Sequence, residues 1–244
     1  MNPSRPRVST RNNPASGVCA SVQGPSERPA RSPESLRGQR ISQSKLMQAV
    51  RTLPRARFVP ESADTSVADD QPVSLSEGRS IPPVHVVVMM LGALELKGTE
   101  RVLDIGGGSG YQAAILSQLA REVISVEVDE ELAAGASRTL SECGCANVRV
   151  MCGDASAGWP AAGPYQAIVV GAAAAKLPVA LIEQLDLGGR LVIPLGDSDY
   201  QLVERLRKRV DGLDSETIGA CRLDLLASPD RPPTSFPWTL APKL

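Results

Sequence analysis

Residues 101–111 read RVLDIGGGSGY, and this stretch decides the fold of the chain. Val102, Leu103 and Ile105 form a short apolar run with β-branched residues, which predicts a buried parallel strand. The glycines that follow give the backbone unusual conformational freedom and let a ligand approach the main chain closely. An apolar pattern at helical spacing begins directly after them. The stretch therefore predicts a strand, a glycine turn and a helix N-terminus, a corner that favours an electron-rich or anionic ligand.

The spacing of the glycines narrows the choice of ligand. A dinucleotide fingerprint is G-x-G-x-x-G, but here the glycines at 106, 108 and 110 form G-x-G-x-G,. Tyr111 occupies the position of the third dinucleotide glycine, and Asp104 precedes the run. This arrangement predicts an S-adenosylmethionine pocket in preference to a pyrophosphate pocket. The alternative is a purely structural glycine turn in an ordinary α/β protein.

Acidic residues at the ends of two further predicted strands complete the candidate site. Residues 122–126 predict a strand that ends at Glu127, where a carboxylate can accept hydrogen bonds from both ribose hydroxyls,. Residues 147–151 predict another strand, and the Gly153–Asp154 pair that follows it can bond the amino edge of an adenine. The predicted cofactor-binding residues are Asp104, Gly106, Gly108, Ser109, Gly110, Glu127, Gly153 and Asp154.

Composition and charge limit the classes of function that are open to this chain. The chain has 244 residues and a formal net charge of -1, which does not indicate nucleic acid or an anionic membrane surface as a partner,. No apolar run approaches the ~20 residues of a membrane-spanning helix. The five cysteines contain no C-x-x-C pair, and His85 is the only histidine. We therefore expect no metal site and reduced thiols in a cytoplasmic protein.

The two ends of the chain differ from its middle. Residues 1–40 are rich in Pro, Ser and Arg and lack apolar periodicity, which predicts a disordered N-terminal extension,. A transit peptide, a plain extension and an overextended start site are the alternatives for this segment. Residues 41–226 are predicted to form the folded domain, and residues 227–244 a loose, proline-rich tail.

The remaining pattern predicts a doubly wound α/β fold. Helices are expected at 42–52, 84–96, 129–143 and 178–185, with further strands at 164–170 and 190–195,. Residues 201–210 and 216–226 predict a β-hairpin with a turn at 211–212,. The loop-rich stretch 61–83 is of a kind that often closes over a site. We expect a Rossmann-like methyltransferase sheet, mostly parallel, with the C-terminal hairpin at one edge.

Ordered motifs extend the comparison beyond the glycine turn. From about residue 46 to 226 the chain resembles the protein-L-isoaspartate O-methyltransferases. The matching blocks are RFVP at 57–60, DQP at 70–72, DIGGGSGYQAA at 104–114, REV at 121–123 through Glu127, GD at 153–154, GWP at 158–160, residues 172–178, QL at 184–185 and GGRLVIP at 188–194. The glycine motif alone indicates a methyltransferase, and the other blocks in this order indicate the family.

The resemblance implies a specific reaction. The family transfers a methyl group from S-adenosylmethionine to the free α-carboxylate of L-isoaspartyl residues in damaged proteins. The ester then closes to a succinimide, whose hydrolysis partly restores normal aspartate. The resemblance thus implies isoaspartyl proteins or peptides as partners, and we expect a monomer.

The loop that should face the substrate departs from the family pattern. The family reads G-x-T-I-S-Q-P, whereas residues 78–84, here called the substrate loop, read GRSIPPV. The family's active-site serine falls at Pro82, which has neither a hydroxyl nor an N–H group. Ser80 replaces the family threonine and is the candidate catalytic residue if the loop shifts, with a plain loop serine as the alternative.

The altered substrate loop leaves more than one function open. A divergent carboxyl methyltransferase with another substrate and a cofactor-binding protein without turnover are the rival hypotheses. Gln166 and Gly171 also replace a frequent acid and a frequent threonine of the family on the fourth predicted strand and at its end.

Overall fold

The computed structural model describes residues 40–59, 71–76 and 78–227. The predicted extension (1–40) and tail (227–244) therefore lie outside the described residues, except for Arg40 and Ala227. Their boundaries with the folded domain remain predictions.

A central sheet of seven strands organises the described chain. In chain order, a small hairpin of β1 (Val73–Ser76) and β2 (Arg79–Ile81) precedes the sheet strands β3 (Arg101–Ile105), β4 (Glu122–Glu127), β5 (Val148–Cys152), β6 (Tyr165–Val170), β7 (Leu185–Gly196), β8 (Gln201–Lys208) and β9 (Leu213–Cys221). The spatial order is β5-β4-β3-β6-β7-β8-β9. Strands β3 to β7 pair in parallel, and β8 and β9 add antiparallel partners at one edge. The predicted mostly parallel sheet with a C-terminal hairpin edge is confirmed.

Helices cover both faces of this sheet. They are α1 (Gln43–Thr52), α2 (Val84–Ala93), α3 (Tyr111–Ser117), α4 (Glu130–Glu142) and α5 (Val179–Glu183). Successive strand residues point to opposite faces, so Val102 packs in one apolar core and Leu103 in the other,. Both are fully buried, which is the reason that the parallel strands have continuous apolar sequences,. Among the described residues no helix is long and apolar enough to span a bilayer.

The topology places a crevice at the carboxyl ends of the central strands. The chain runs outward from β3 to β4 and β5 and then returns to place β6 on the other side of β3. The strand order therefore reverses between β3 and β6. In open α/β sheets, ligands bind outside the carboxyl ends of the strands at such a reversal.

Three local predictions differ from the structure. The stretch 61–83 contains the β1–β2 hairpin, paired through Ser74 and Ser80, where only loops were predicted. Helix α5 ends at Glu183, and the sheet strand β7 begins at Leu185, well before the predicted residue 190. The predicted turn at Gly188–Gly189 lies inside β7, beside an irregular register between β6 and β7.

The last predicted strand is also shorter than expected. Strand β9 ends at Cys221 instead of residue 226. The chain that follows, residues 222–227, is called here the C-terminal segment. It crosses to the end of β6, where Ala173 N donates to Asp224 O at 2.8 Å and Leu226 N donates to Ala173 O at 2.7 Å. This segment therefore becomes a wall of the crevice.

Candidate functional site

The glycine loop, residues 106–110, forms the floor of the crevice. Gly106, Gly108 and Gly110 all have positive φ angles, of 73°, 52° and 86°. The Gly106 and Gly107 N–H groups donate to Val126 O at 3.0 and 3.2 Å, which fastens the loop to the end of β4. A Cβ atom at Gly110 would lie 3.2 Å from the Ala136 side chain, so this glycine lets α4 pack closely. The sequence alone assigned the loop to ligand binding, and the structure gives its glycines local conformational and packing reasons as well.

Glu127 stands at the end of β4 with its carboxylate fixed by the backbone. Its Oε2 atom accepts a hydrogen bond from Gly108 N at 2.8 Å, and its Oε1 atom accepts one from Asp129 N at 3.0 Å. The residue is only 4% exposed but lines the cavity in the crevice. A buried carboxylate held by two N–H groups still has lone pairs that a hydroxyl-bearing ligand can use.

Asp104 lies beneath the glycine loop and has no exposed surface. Gln112 Nε2 donates to its Oδ1 atom at 2.7 Å, and Ser125 Oγ donates to its Oδ2 atom at 2.8 Å. Burial raises the pKa of this carboxyl to about 6 against the lowering effect of the two hydrogen bonds, and the Glu127 charge raises it a little further. A Cβ atom at Gly107 would overlap Ser125 Oγ, so the loop rests directly on this network. Asp104 is thus placed to support the loop from below.

The other predicted cofactor residues lie around the same edge of the sheet. Gly153 N donates to Glu127 O at 2.9 Å, and a Cβ atom there would lie 3.2 Å from the Trp159 ring. The Asp154 carboxylate accepts from Ser156 N at 2.9 Å and from Ser156 Oγ at 2.7 Å, which caps a short 3-10 turn. Ser109 Oγ accepts from Tyr111 N at 3.4 Å.

The substrate loop lies next to the glycine loop, and residues of both loops line one narrow cavity. Arg55, which is buried, donates from Nη2 to the carbonyl oxygens of Gln71, Ile81 and Pro82 at 2.8, 3.0 and 2.9 Å. Pro82 lines a narrow cavity together with the glycine loop. Ser80 lines both this narrow cavity and the cavity that Glu127 lines, here called the crevice cavity. The structure therefore brings Ser80 together with Gly106, Gly108 and Glu127 around one cavity. The linings of the two cavities do not include Asp104, Gly110, Gly153 or Asp154.

Two charged residues of the crevice were not predicted. Arg79 Nη1 lies 3.2 Å from Asp129 Oδ2, and Arg79 Nε lies 3.9 Å from Glu127 Oε1. Asp224, on the C-terminal segment, accepts a hydrogen bond from Ser80 Oγ at 2.6 Å. Arg79 stands at the unspecified position of the family's loop pattern, and no sequence motif marks Asp224.

Among the described residues, the histidine and the acidic groups give no sign of a metal centre. His85 is exposed in the first turn of α2. Within the part of the chain that the structure describes, no three His, Cys, Asp or Glu side chains are grouped to hold a metal ion.

The class of this protein is that of the α/β methyltransferases that depend on S-adenosylmethionine. It is defined by the reversed strand order, the glycine loop and the acid at the end of β4. Residues 33–222 match the family described as Protein-L-isoaspartate(D-aspartate) O-methyltransferase. A Syntrophus aciditrophicus Protein-L-isoaspartate O-methyltransferase is 39% identical over 195 residues, which are 78% of this chain and 89% of the relative. An Opitutus terrae protein of the same name is 45% identical over 177 residues, 72% of this chain and 76% of the relative. The chain belongs to this family, and the resemblance predicted from the sequence is confirmed.

Solved structures agree with this assignment. One named protein-L-isoaspartate O-methyltransferase superposes with a TM-score of 0.66 at 26% identity, covering 77% of this chain and 62% of that one. A Plasmodium falciparum protein solved with S-adenosyl-L-homocysteine gives a TM-score of 0.65 at 19% identity, covering 77% of this chain and 92% of that one. The second comparison shows the shared fold.

Proposed function

We propose that this protein transfers a methyl group from S-adenosylmethionine to the free α-carboxylate of L-isoaspartyl residues in damaged proteins. The observation that carries the proposal is the Glu127 carboxylate, fixed by two backbone N–H groups beside the glycine loop. Family membership supplies the reaction, since the matching relatives carry its name.

The residues of the crevice fit the cofactor. Gly108 is the clearest fit, because its φ of 52° favours glycine and it lines the cavity together with Glu127,. Gly106, Gly108 and Gly110 would shape the cradle, and Glu127 would accept hydrogen bonds from the ribose. Gly153 holds the main chain of Glu127 in place. When bound, S-adenosylmethionine supplies a methyl group that its sulfonium charge has already activated.

Asp104 and Asp154 have supporting roles in this proposal. Both carboxylates are already hydrogen-bonded within the protein, Asp104 by Gln112 and Ser125 and Asp154 by Ser156. Asp104 has no exposed surface from which to meet a ligand. We propose that these two acids hold the chain around the cofactor and that Glu127 makes the contact.

The protein has little chemistry to perform beyond orientation. An α-carboxylate is ionised near neutral pH, so it needs no general base to become a nucleophile. The substrate loop and the C-terminal segment must exclude water and hold the carboxylate in line with the methyl group. Such orientation contributes roughly 7–11 kcal/mol in the best intramolecular reactions.

A divergent carboxyl methyltransferase with another substrate is the second candidate. The observation that favours it is the substrate loop, where Pro82 offers no hydroxyl and the Ser80 hydroxyl is held by Asp224. The intact cofactor-binding residues favour both candidates over a cofactor-binding protein without turnover.

Methyl transfer from labelled S-adenosylmethionine to an isoaspartyl peptide tests the proposal, with the same peptide containing normal aspartate as the matched control. Label incorporated into the isoaspartyl peptide alone supports the repair reaction. Binding of S-adenosylhomocysteine without any transfer to this peptide would count against the repair reaction and leave the second candidate and a binding protein without turnover. An isoaspartyl protein partner, a monomeric state and a cytoplasmic location stay predictions.

A further inference from the structure

The Ser80–Asp224 hydrogen bond connects two walls of the crevice. Ser80 lies on β2 of the small hairpin, and Asp224 lies on the C-terminal segment, 144 residues later in the chain. Both residues line the crevice cavity together with Gly106 and Glu127. Asp224 is fixed at this position through its own backbone, because its carbonyl oxygen accepts from Ala173 N at 2.8 Å. The pair therefore borders the cavity in which, on the proposed function, the substrate meets the cofactor.

The direction of this hydrogen bond limits what Ser80 can offer. A serine hydroxyl carries one proton, and at 2.6 Å from Oδ2 that proton is donated to the Asp224 carboxylate,. A substrate carboxylate is an acceptor only and requires a donor. While Asp224 is charged, Ser80 thus presents only lone pairs to the cavity, and the Asp224 charge repels a second carboxylate. The site as it stands is poorly arranged for its own proposed substrate.

Protonation of Asp224 reverses the arrangement. A neutral carboxyl group is a donor and can bond to Ser80 Oγ, which releases the serine proton toward the cavity. It also removes one negative charge beside the incoming substrate. Resting on the proposed function, we propose that Asp224 is a positioning residue that acts through Ser80 and allows tight binding of a substrate carboxylate only when Asp224 is uncharged.

The surroundings of Asp224 are consistent with this role. Burial raises the pKa of its carboxyl above the ordinary value, although the hydrogen bonds from the Ser80 side chain and backbone lower it in part. Arg79 and Glu127 are the other charged residues among the described lining of the cavity, and Arg222 precedes Asp224 on its own segment. Arg79 lies within ion-pair distance of Glu127 and Asp129.

The proposal predicts a pH dependence of substrate affinity. The α-carboxylate of the peptide, with a pKa of about 3.5, stays ionised between pH 5 and 8. Because burial raises the pKa of the Asp224 carboxyl, lowering the pH increases the neutral fraction of Asp224 and should lower KM for an isoaspartyl peptide. The loss of one charge-assisted hydrogen bond corresponds to about a tenfold to hundredfold change in affinity between the two forms of Asp224. The affinity for S-adenosylhomocysteine should not follow this change.

Three variants separate the role of Ser80 from simple removal of charge. Asp224→Asn has nearly the same shape, and its amide N–H can donate to Ser80 Oγ at every pH. We expect this variant to show at pH 8 the low KM that the natural protein approaches only as the pH falls. Ser80→Ala should leave KM high. The double variant Ser80→Ala, Asp224→Asn should lose most of the decrease in KM that Asp224→Asn alone produces. Unchanged S-adenosylhomocysteine affinity in each variant shows that the fold is intact.

Peptide binding and methyl transfer are measured separately so that the two proposals fail separately. Calorimetry follows the isoaspartyl peptide on the protein loaded with S-adenosylhomocysteine, and labelled transfer follows turnover. The inference is supported if the peptide binds more tightly at lower pH and if its binding to Asp224→Asn does not depend on pH. If such binding occurs without methyl transfer, the proposed function is overturned and the inference stands. Methyl transfer with a KM that does not depend on pH overturns the inference and leaves the proposed function standing. The same holds if the lower KM of Asp224→Asn persists when Ser80→Ala is added. Absence of peptide binding at every pH overturns both.

Discussion

Replacing Asp104 with asparagine should make this protein more stable near neutral pH. The carboxyl group is fully buried, and its pKa is raised from 3.8 to about 6, mainly by burial. The folded state therefore binds a proton more tightly than the unfolded chain does. Stability from this group is fully present below pH 3.8 and is lost as the pH rises through about 6,.

The size of the effect follows from the shift. Two pKa units, at about 1.36 kcal/mol each, give roughly 3 kcal/mol of destabilisation when Asp104 is charged in both states. Asparagine removes the charge and keeps both hydrogen bonds. Its carbonyl oxygen accepts from Gln112 Nε2, and its amide donates to Ser125 Oγ, which now serves as the acceptor. We expect Asp104→Asn to raise the free energy of unfolding at pH 8 by up to about 3 kcal/mol.

Denaturant unfolding at pH 5 and pH 8 checks this prediction. Between these two pH values, the stability difference between Asp104→Asn and the natural protein should grow by about 1.4 kcal/mol. Asp199→Asn, which removes one exposed carboxylate, controls for the change in net charge. An Asp104→Asn difference that is the same at both pH values would refute the linkage argument. If Asp104 only supports the loop, the affinity for S-adenosylhomocysteine should stay near that of the natural protein.

Three further substitutions test the crevice. Gly110→Ala should destabilise the protein by about 1–3 kcal/mol, measured by thermal unfolding, because its φ is 86° and a Cβ atom would lie 3.2 Å from Ala136,. Glu127→Ala should weaken S-adenosylhomocysteine binding by roughly 1.5–3 kcal/mol in calorimetry, and an unchanged affinity would remove this acid from the site. Pro82→Ser should raise turnover on an isoaspartyl peptide by about tenfold to a hundredfold, with Pro82→Ala near the natural rate.

The cofactor side of the crevice was predictable because its parts are contiguous in sequence. The strand β3, the glycine loop and the start of α3 follow one another within residues 101–117. Each part has its own local signal: a doubly buried strand needs apolar residues on both faces, and positive φ angles favour glycine. The acid at the end of β4 was predictable for a related reason, since parallel strands in register bring their carboxyl ends to one edge.

The substrate side of the crevice was less predictable because its strands are short and because its contacts join residues that are far apart in the sequence. Strands β1 and β2 have four and three residues, too few to establish an alternating pattern. Their position depends instead on Arg55, whose guanidinium holds the carbonyl oxygens of Gln71, Ile81 and Pro82. The local sequence of the hairpin does not contain this information. A loop was therefore the expected result, although its place over the site was anticipated.

Asp224 is the clearest case of a site residue that only the fold reveals. The apolar pattern around it predicts that the last strand continues to residue 226, but pairing of β8 with β9 ends at Cys221. Beyond that point the Gln201 side chain takes the place of the backbone hydrogen bonds between the strands. Its Nε2 atom donates to Leu223 O at 2.9 Å, and its Oε1 atom accepts from Leu223 N at 2.7 Å. The chain is thereby released from the sheet edge and directed to Ala173, which brings Asp224 against Ser80. A buried glutamine on β8 thus determines where the acid of the substrate side lies, and the acid in turn determines what the Ser80 hydroxyl can donate to.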